Sequence, residues 1–375
     1  MIEYLVPDMP TLEQITPYLK EIDRKRWYSN FGPLESRLRQ RTADCFFEGC
    51  DARNVATSSS GTSAICLTLK ALKEKRDGYV LLPSYTFPGT ISAIIDAGFK
   101  PIFCDVDSFR WKMESKHVER YLGRFPIAAV LPVAAFGTPV DTRDWSQFQS
   151  QHNIPVIVDA AAALGQQELD DLTLCFSLHA TKIIGAGEGG LIVSKDTDLI
   201  KQVRQISNFG YGDGEVITCG SNFKLSEYHA GVALAQYDRI DYLFETRKNL
   251  YSMYKTALAS IQEEFGVVLQ SIPNNASPSS FVIRFPYEIA RSVCDKLMEQ
   301  GVQTRQLYCP ALHQHSGLVS EGTWYPNSLE VSEQLGSCTL ALPFHNFLSK
   351  SDIKVVAKQL HCVLSSMCSP KVAQG

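Results

Sequence analysis

The chain has 375 residues, 45% hydrophobic and 20% charged, a composition that buries a large core in a globular protein. With 36 basic against 40 acidic side chains the formal charge is -4, so no basic excess points to a nucleic-acid binder. No apolar run approaches the roughly 18 residues of a membrane span, and the first residues lack the pattern of a secretory leader. The 11 cysteines include no Cys-x-x-Cys pair and read as free thiols of a reducing compartment, so a cytoplasmic location is expected. The 8 histidines form no zinc signature, and no metal is expected.

The first 50 residues mix apolar and basic positions and predict helices leading into the core. From residue 55, short β-rich runs alternate with helical stretches. Strands are expected at 55–58, 79–82, 101–104, 128–132, 155–158, 174–177 and 190–193. Helices are expected at 62–74, with Ile65, Leu69 and Leu72 on one face, and at 90–97. Short apolar strands joined by helical crossovers imply an α/β architecture. Its sheet is mostly parallel, covered on both faces, and takes ligands at the carboxyl ends of its strands. Beyond residue 240 the pattern changes. A long helical stretch at 238–264 gives way to extended pieces punctuated by Pro273, Pro278 and Pro286, then to helical runs at 290–300 and 350–364. The reading is a large domain over 1–240, opened by a helical segment, and a smaller α+β domain over 241–375 with a frayed tail from 368.

Three strand-end clusters carry chemistry. Ser58-Ser59-Ser60-Gly61-Thr62 follows a strand and opens a helix, exposing backbone N–H groups and hydroxyls suited to a phosphate. It lacks the Walker spacing, and a plain helix cap is the alternative. Asp159 ends a buried strand, where it can accept a hydrogen bond from a ligand's protonated ring nitrogen; a helix cap or salt bridge is the alternative. Lys182 closes Ser177-Leu178-His179-Ala180-Thr181-Lys182 ahead of a glycine-rich stretch. Small and apolar neighbours lower an amine's pKa and make it nucleophilic toward an aldehyde; a surface lysine beside a glycine turn is the alternative. A phosphate cradle, a ring-nitrogen carboxylate and a Schiff-base lysine are together what pyridoxal 5'-phosphate requires.

In this order the clusters resemble the DegT/DnrJ/EryC1/StrS family of pyridoxal-phosphate-dependent aminotransferases, typically sugar aminotransferases of fold type I. Further matching motifs are Gly32-Pro33 with Glu35, Pro83-Ser84-Tyr85-Thr86-Phe87, Gly220-Ser221-Asn222-Phe223-Lys224 with Glu227, Tyr308-Cys309-Pro310-Ala311-Leu312-His313 and Leu342-Pro343-Phe344-His345. The resemblance implies that Lys182 carries the internal aldimine, that Asp159 keeps the pyridine nitrogen protonated, and that Phe87 stacks on the ring. It implies that Ser60, Gly61, Thr62 and Ser177 hold the phosphate. Asn222 would reach the phosphate of the neighbouring subunit in a homodimer with shared sites.

The implied reaction moves an amino group from an amino acid, L-glutamate by resemblance, to a keto-sugar, commonly nucleotide-linked and destined for polysaccharide biosynthesis. His179, Arg305, Tyr308 and His313 are candidate substrate contacts. Glu188 has no assigned chemistry, and Asp105 and Asp107 read as capping residues. Two departures bear on the acceptor. A His common before the hydrophobic-Gly pair is replaced within Val133-Ala134-Ala135-Phe136-Gly137, and a polar residue common three places after the ring-binding Asp is Ala162. Lys182 argues against the dehydratase branch of the family, where His replaces the lysine. A non-nucleotide ketone acceptor and a catalytically idle member remain as alternative readings.

Overall fold

The computed structural model describes residues 1–73, 77–273, 276–319 and 322–368. The end of the helix expected at 62–74 and the expected frayed tail fall partly outside these residues. Two helices open the chain, α1 (Leu12–Lys25) and α2 (Pro33–Phe46). The alternating region then gives β1 (Val55–Ser58), α3 (Gly61–Lys73), β2 (Tyr79–Pro83), α4 (Pro88–Asp96) and β3 (Lys100–Cys104). It continues with α5 (Ser115–Glu119), β4 (Ile127–Val130), α6 (Thr142–His152), β5 (Ile157–Asp159), β6 (Thr173–Ser177), β7 (Gly190–Ser194) and α7 (Thr197–Ser207). A short hairpin of β8 (Tyr211–Gly212) and β9 (Glu215–Val216) precedes α8 (Glu227–Tyr237).

Strands β3-β2-β4 and β5-β6-β7-β1 join edge to edge through parallel bridges from Val130 to Val156 and from Val133 to Asp159. The result is one sheet in the order β3-β2-β4-β5-β6-β7-β1, in which β7 alone runs against its neighbours. Alternate residues of each strand point to opposite faces. Val55, Leu81, Val130, Val158, Leu174 and Leu191 therefore enter a core shared with Leu34, Leu38, Trp145 and Leu234. Ala56, Val80, Ala129, Ile157, Cys175 and Ile192 face the other way, against Ile65, Leu69, Ile91, Ile94 and Val203. This three-layer arrangement explains why the strands read as continuous apolar runs. It is the α/β fold expected from the pattern, and it turns the carboxyl ends of β1, β2, β4, β5 and β6 to one edge of the sheet.

The expected helix at 238–264 divides into α9 (Ile240–Ala257) and α10 (Ala259–Phe265), the second closed by Gly266 at φ 66°. A second sheet follows, β10 (Val268–Leu269), β11 (Phe281–Arg284) and β12 (Thr339–Leu342), all antiparallel, with α11 (Ala290–Glu299), α12 (Glu330–Cys338) and α13 (Lys350–Cys368). Leu250, Tyr254, Phe281, Leu297, Leu340, Val356 and Leu360 form its core. The chain crosses between the two layers. Ile2 pairs with Val302, and the Tyr4 carbonyl accepts from the Phe344 amide, so the first residues lie along the C-terminal sheet. Asp105, at the end of β3, accepts from the Val331 and Ser332 amides and the Ser332 hydroxyl, which caps α12.

Two distant motifs lock the N-terminal helices. The Glu227 carboxylate accepts from the Leu34 and Glu35 amides at 2.7 and 2.8 Å and so caps α2. A Cβ at Gly32 would lie 2.6 Å from the Glu227 carboxyl carbon, which is why glycine precedes Pro33. Glu35 itself is buried and accepts from Thr57, Arg39 and Arg204.

Candidate active site

At the carboxyl end of β1, the Ser58 hydroxyl donates to the Ser60 carbonyl, and Ser60 and Ser63 exchange bonds that start α3. The Gly61 and Thr62 amides are left without an intrahelical acceptor, as first-turn amides are. Both residues line a cavity of about 580 Å³. A Cβ at Gly61 would lie 2.7 Å from the Ser177 Cβ, and one at Gly190 would lie 2.2 Å from the Ser60 carbonyl oxygen. Gly190 pairs with Ser58 on one side and Ser177 on the other. Glycine at this point of β7 lets the β1 turn and the end of β6 close on one spot.

Asp159 ends β5 and is 5% exposed. Its carboxylate accepts from the Thr90 hydroxyl at 2.7 Å and from the Ala161 amide at 3.1 Å. Burial pushes its pKa above the ordinary carboxylate value; the two hydrogen bonds and the charge of Lys182 oppose the rise. The Thr86 hydroxyl lies 3.2 Å from that of Thr90. Neither threonine was assigned a site role from the sequence. No sequence signal pairs them: Thr86 lies in the turn before α4 and Thr90 in its first turn, and the fold of that turn brings the hydroxyls together.

Lys182 sits in a loop pinned from both ends. Leu178 donates to the Gly189 carbonyl, Ala180 to that of Gly187, and Ala186 to that of Leu178. Gly187 and Gly189 take φ 88° and 153°, which only glycine adopts readily. Among the described residues the Lys182 amine has no hydrogen-bond or ion-pair partner. Burial lowers its pKa, and Asp159 opposes the shift. His179 turns its Nδ1 to the Thr181 hydroxyl at 2.8 Å and its Nε2 toward Glu188 at 3.7 Å.

The cavity gathers Lys182, Asp159, Ser60, Gly61, Thr62, Phe87, Ser177, His179, Arg305 and Tyr308. Phe87, 64% exposed, offers a free ring beside it. Tyr308 stacks on Phe136 with ring centroids 4.8 Å apart. Ala134 and Ala162 form apolar wall, as does Leu307. His313 is a correction to the sequence reading: it does not line the cavity. Its Nδ1 pairs with the Ser84 hydroxyl at 2.6 Å and its Nε2 with Glu333 at 3.1 Å, which draws the ring under the β2 turn. Asn222 is exposed and outside the cavity of its own chain, bridged to Asn208 beside the β8–β9 hairpin. Among the described residues no group of three His, Cys, Asp or Glu side chains suits a metal ion. No helix there is long and apolar enough to cross a membrane.

The donor set fits pyridoxal phosphate. Two first-turn amides and the Ser60 and Ser177 hydroxyls converge where a side chain at 61 has no room. A buried carboxylate and a buried amine flank the same space. A model of the DegT/DnrJ/EryC1/StrS aminotransferase family matches residues 11–361. The dTDP-4-amino-4,6-dideoxy-D-glucose transaminase of Shigella dysenteriae is 27% identical over 367 residues, 94% of this chain and 96% of that one. DesI, solved in the presence of its TDP-sugar product, superposes with a TM-score of 0.86 at 25% identity, over 97% of this chain and 93% of the other. NtdA of Bacillus subtilis, solved with bound cofactor PMP, shares the fold with a TM-score of 0.84 at 23% identity, over 97% and 86% of the two chains. The chain belongs to the DegT/DnrJ/EryC1/StrS aminotransferase family, as a pyridoxal-phosphate-dependent transferase of fold type I.

Proposed function

We propose that the protein moves an amino group from an amino acid, L-glutamate in the first instance, to the carbonyl of a nucleotide-linked keto-sugar. The observation that carries this reading is the convergence of Lys182, Asp159 and the Ser60 turn on one cavity. The sugar acceptor is supported by relatives named for such substrates. When bound, the cofactor supplies an aldehyde that takes up an amine and a ring that accepts the electron pair released at the substrate carbon.

The chain supplies the rest. Lys182 Nζ is the amine that would hold the cofactor covalently. Ser60, Ser177 and the Gly61 and Thr62 amides would hold its phosphate. Asp159 would face the ring nitrogen, where a cationic N–H would add a directly bonded charged partner to the Thr90 and Ala161 bonds of the buried carboxylate. Phe87 would cover one ring face. Once released by the incoming amino acid, Lys182 takes a proton from the donor's α-carbon at Nζ and returns one to the acceptor's carbon. Its lowered pKa favours the neutral base this step needs. The donor leaves as its oxo acid, its new carbonyl oxygen taken from one water, and the acceptor's carbonyl oxygen leaves as another.

A homodimer in which Asn222 reaches the partner's cavity accounts for that residue's exposure. Cytoplasmic synthesis of a surface polysaccharide is the setting we infer, with a large domain to about residue 240 and a smaller one after it. The apolar wall of Ala134, Ala162 and Leu307 favours a second reading, a ketone that is not a sugar nucleotide. Cofactor-loaded protein mixed with L-glutamate should pass spectroscopically to the amine form and return on addition of the right ketone. Lys182→Ala should do neither, and turnover in that variant would refute the assignment. Absence of the half-reaction with every amino acid would favour an idle family member.

A further inference from the structure

The cavity has a second wall, built from the N-terminal segment and the C-terminal sheet. Tyr4, Ser279, Ser280 and Arg305 line it. Hydrogen bonds of the main chain hold Tyr4 and Arg305 in this wall. The Tyr4 amide donates to the Gln303 side chain at 3.3 Å, its carbonyl accepts from Phe344, and Arg305 exchanges both backbone bonds with Ala341 of β12. Ser280 stands just before β11, on the same cavity wall as the Tyr4 phenol, whose pKa it pulls down.

The wall is electropositive. Arg305 is exposed to the cavity, and among the described residues its guanidinium has no acceptor. Arg247 lies behind, 3% exposed, donating to the Ser279 and Phe344 carbonyls while its Nε has no partner. Asp8, the carboxylate whose charge reaches Arg247, is committed to Arg239 and Asn346 at 2.7 and 2.8 Å. The carboxylates lining the cavity are Asp159, bonded to Thr90, and Glu188, beside His179. Burial raises the Tyr4 phenol's pKa, against the pull of Ser280 and the charges of Arg305 and Arg247. A buried cation short of an anion, an unpaired guanidinium and two hydroxyls suit an oxyanion.

We propose that Tyr4, Ser280 and Arg305 form the subsite that takes an oxyanion of the substrate, with Arg247 as the fixed charge behind it. Building on the aminotransferase reading, the oxyanion is a carboxylate of the amino donor or a phosphate of the sugar nucleotide. Arg305 confers specificity; Tyr4 and Ser280 position the group by hydrogen bonds.

The test uses the cofactor-loaded enzyme and its Arg305→Gln and Tyr4→Phe variants. Calorimetry measures binding of glutarate, a non-reacting dicarboxylate, and of inorganic pyrophosphate. Loss of a charge-assisted contact should weaken one of the two about tenfold or more in Arg305→Gln, with a smaller loss in Tyr4→Phe. Weakening confined to glutarate assigns the subsite to the donor, and the donor concentration for half-saturation should rise in step. Weakening confined to pyrophosphate assigns it to the acceptor. Unchanged affinity for both anions in Arg305→Gln, with cofactor absorbance and melting intact, overturns the proposal. Failure of the wild-type half-reaction with amino acids would instead count against the aminotransfer reading, because the anion titrations do not depend on turnover.

Discussion

Replacing Thr90 with Val isolates one hydrogen bond on the buried carboxylate of Asp159. The hydroxyl donates to the carboxylate at 2.7 Å; valine keeps the branched shape and removes the hydroxyl, with its 3.2 Å contact to Thr86. Burial makes the folded chain hold the Asp159 proton to higher pH than the unfolded chain does. A raised folded pKa favours folding in acid, and that advantage is lost as pH rises from the ordinary value of 3.8 through the raised one. In acid the variant loses a neutral hydrogen bond, about 1 kcal/mol, and once the carboxylate is charged about 2 kcal/mol. The difference of roughly 1 kcal/mol means that loss of the hydroxyl pushes the Asp159 pKa further up. Denaturant melts of cofactor-stripped protein at fixed concentration, from acid to neutral pH, should show the gap from wild type widening as pH rises. Added cofactor should narrow it by giving the carboxylate a cationic partner. A gap independent of pH would refute the claim that Thr90 solvates a charged Asp159.

Gly61→Ala drives a Cβ to 2.7 Å from Ser177 and should cost about 1–3 kcal/mol of stability while weakening cofactor binding, read by melts and cofactor titration. Wild-type cofactor affinity in that variant would contradict the close approach of the two strand ends. Gly32→Ala should displace the Glu227 carboxylate from the α2 amides; loss of that cap costs about 0.5–2 kcal/mol, and an unchanged melting curve would count against it. The rate at which pyridoxal phosphate adds to stripped protein should rise with pH as Lys182 loses its proton. Its midpoint should fall below the ordinary lysine value of 10.5, and a midpoint at or above that value would show that burial does not tune the amine.

The legible parts of the site lay at strand ends. The Ser60 turn, Asp159 and Lys182 each follow a short apolar run, and a parallel sheet delivers such ends to one edge. What stayed hidden depended on which strands are neighbours. Gly190 reads as one glycine among several until β7 is found between β1 and β6, pairing Ser58 with one side and Ser177 with the other. Tyr4 joins the cavity, and Arg247 the layer behind it, through contacts more than 200 and about 100 residues away in sequence, with Gln303 and Phe344 respectively. His313 shows the opposite failure. It reads as a candidate substrate contact within the Tyr308–His313 motif, yet Ser84 and Glu333 hold it beneath the wall. Asp105 and Asp107, by contrast, cap backbone amides as short acidic residues after a strand do.

The central claim is that the amine at position 182 bears the cofactor. Borohydride reduction of the loaded protein, followed by intact mass and peptide mapping, tests it directly. The account predicts one added phosphopyridoxyl group per chain on the peptide containing Lys182, and none in Lys182→Ala. A label on another lysine, or an unlabelled wild-type chain, would contradict it.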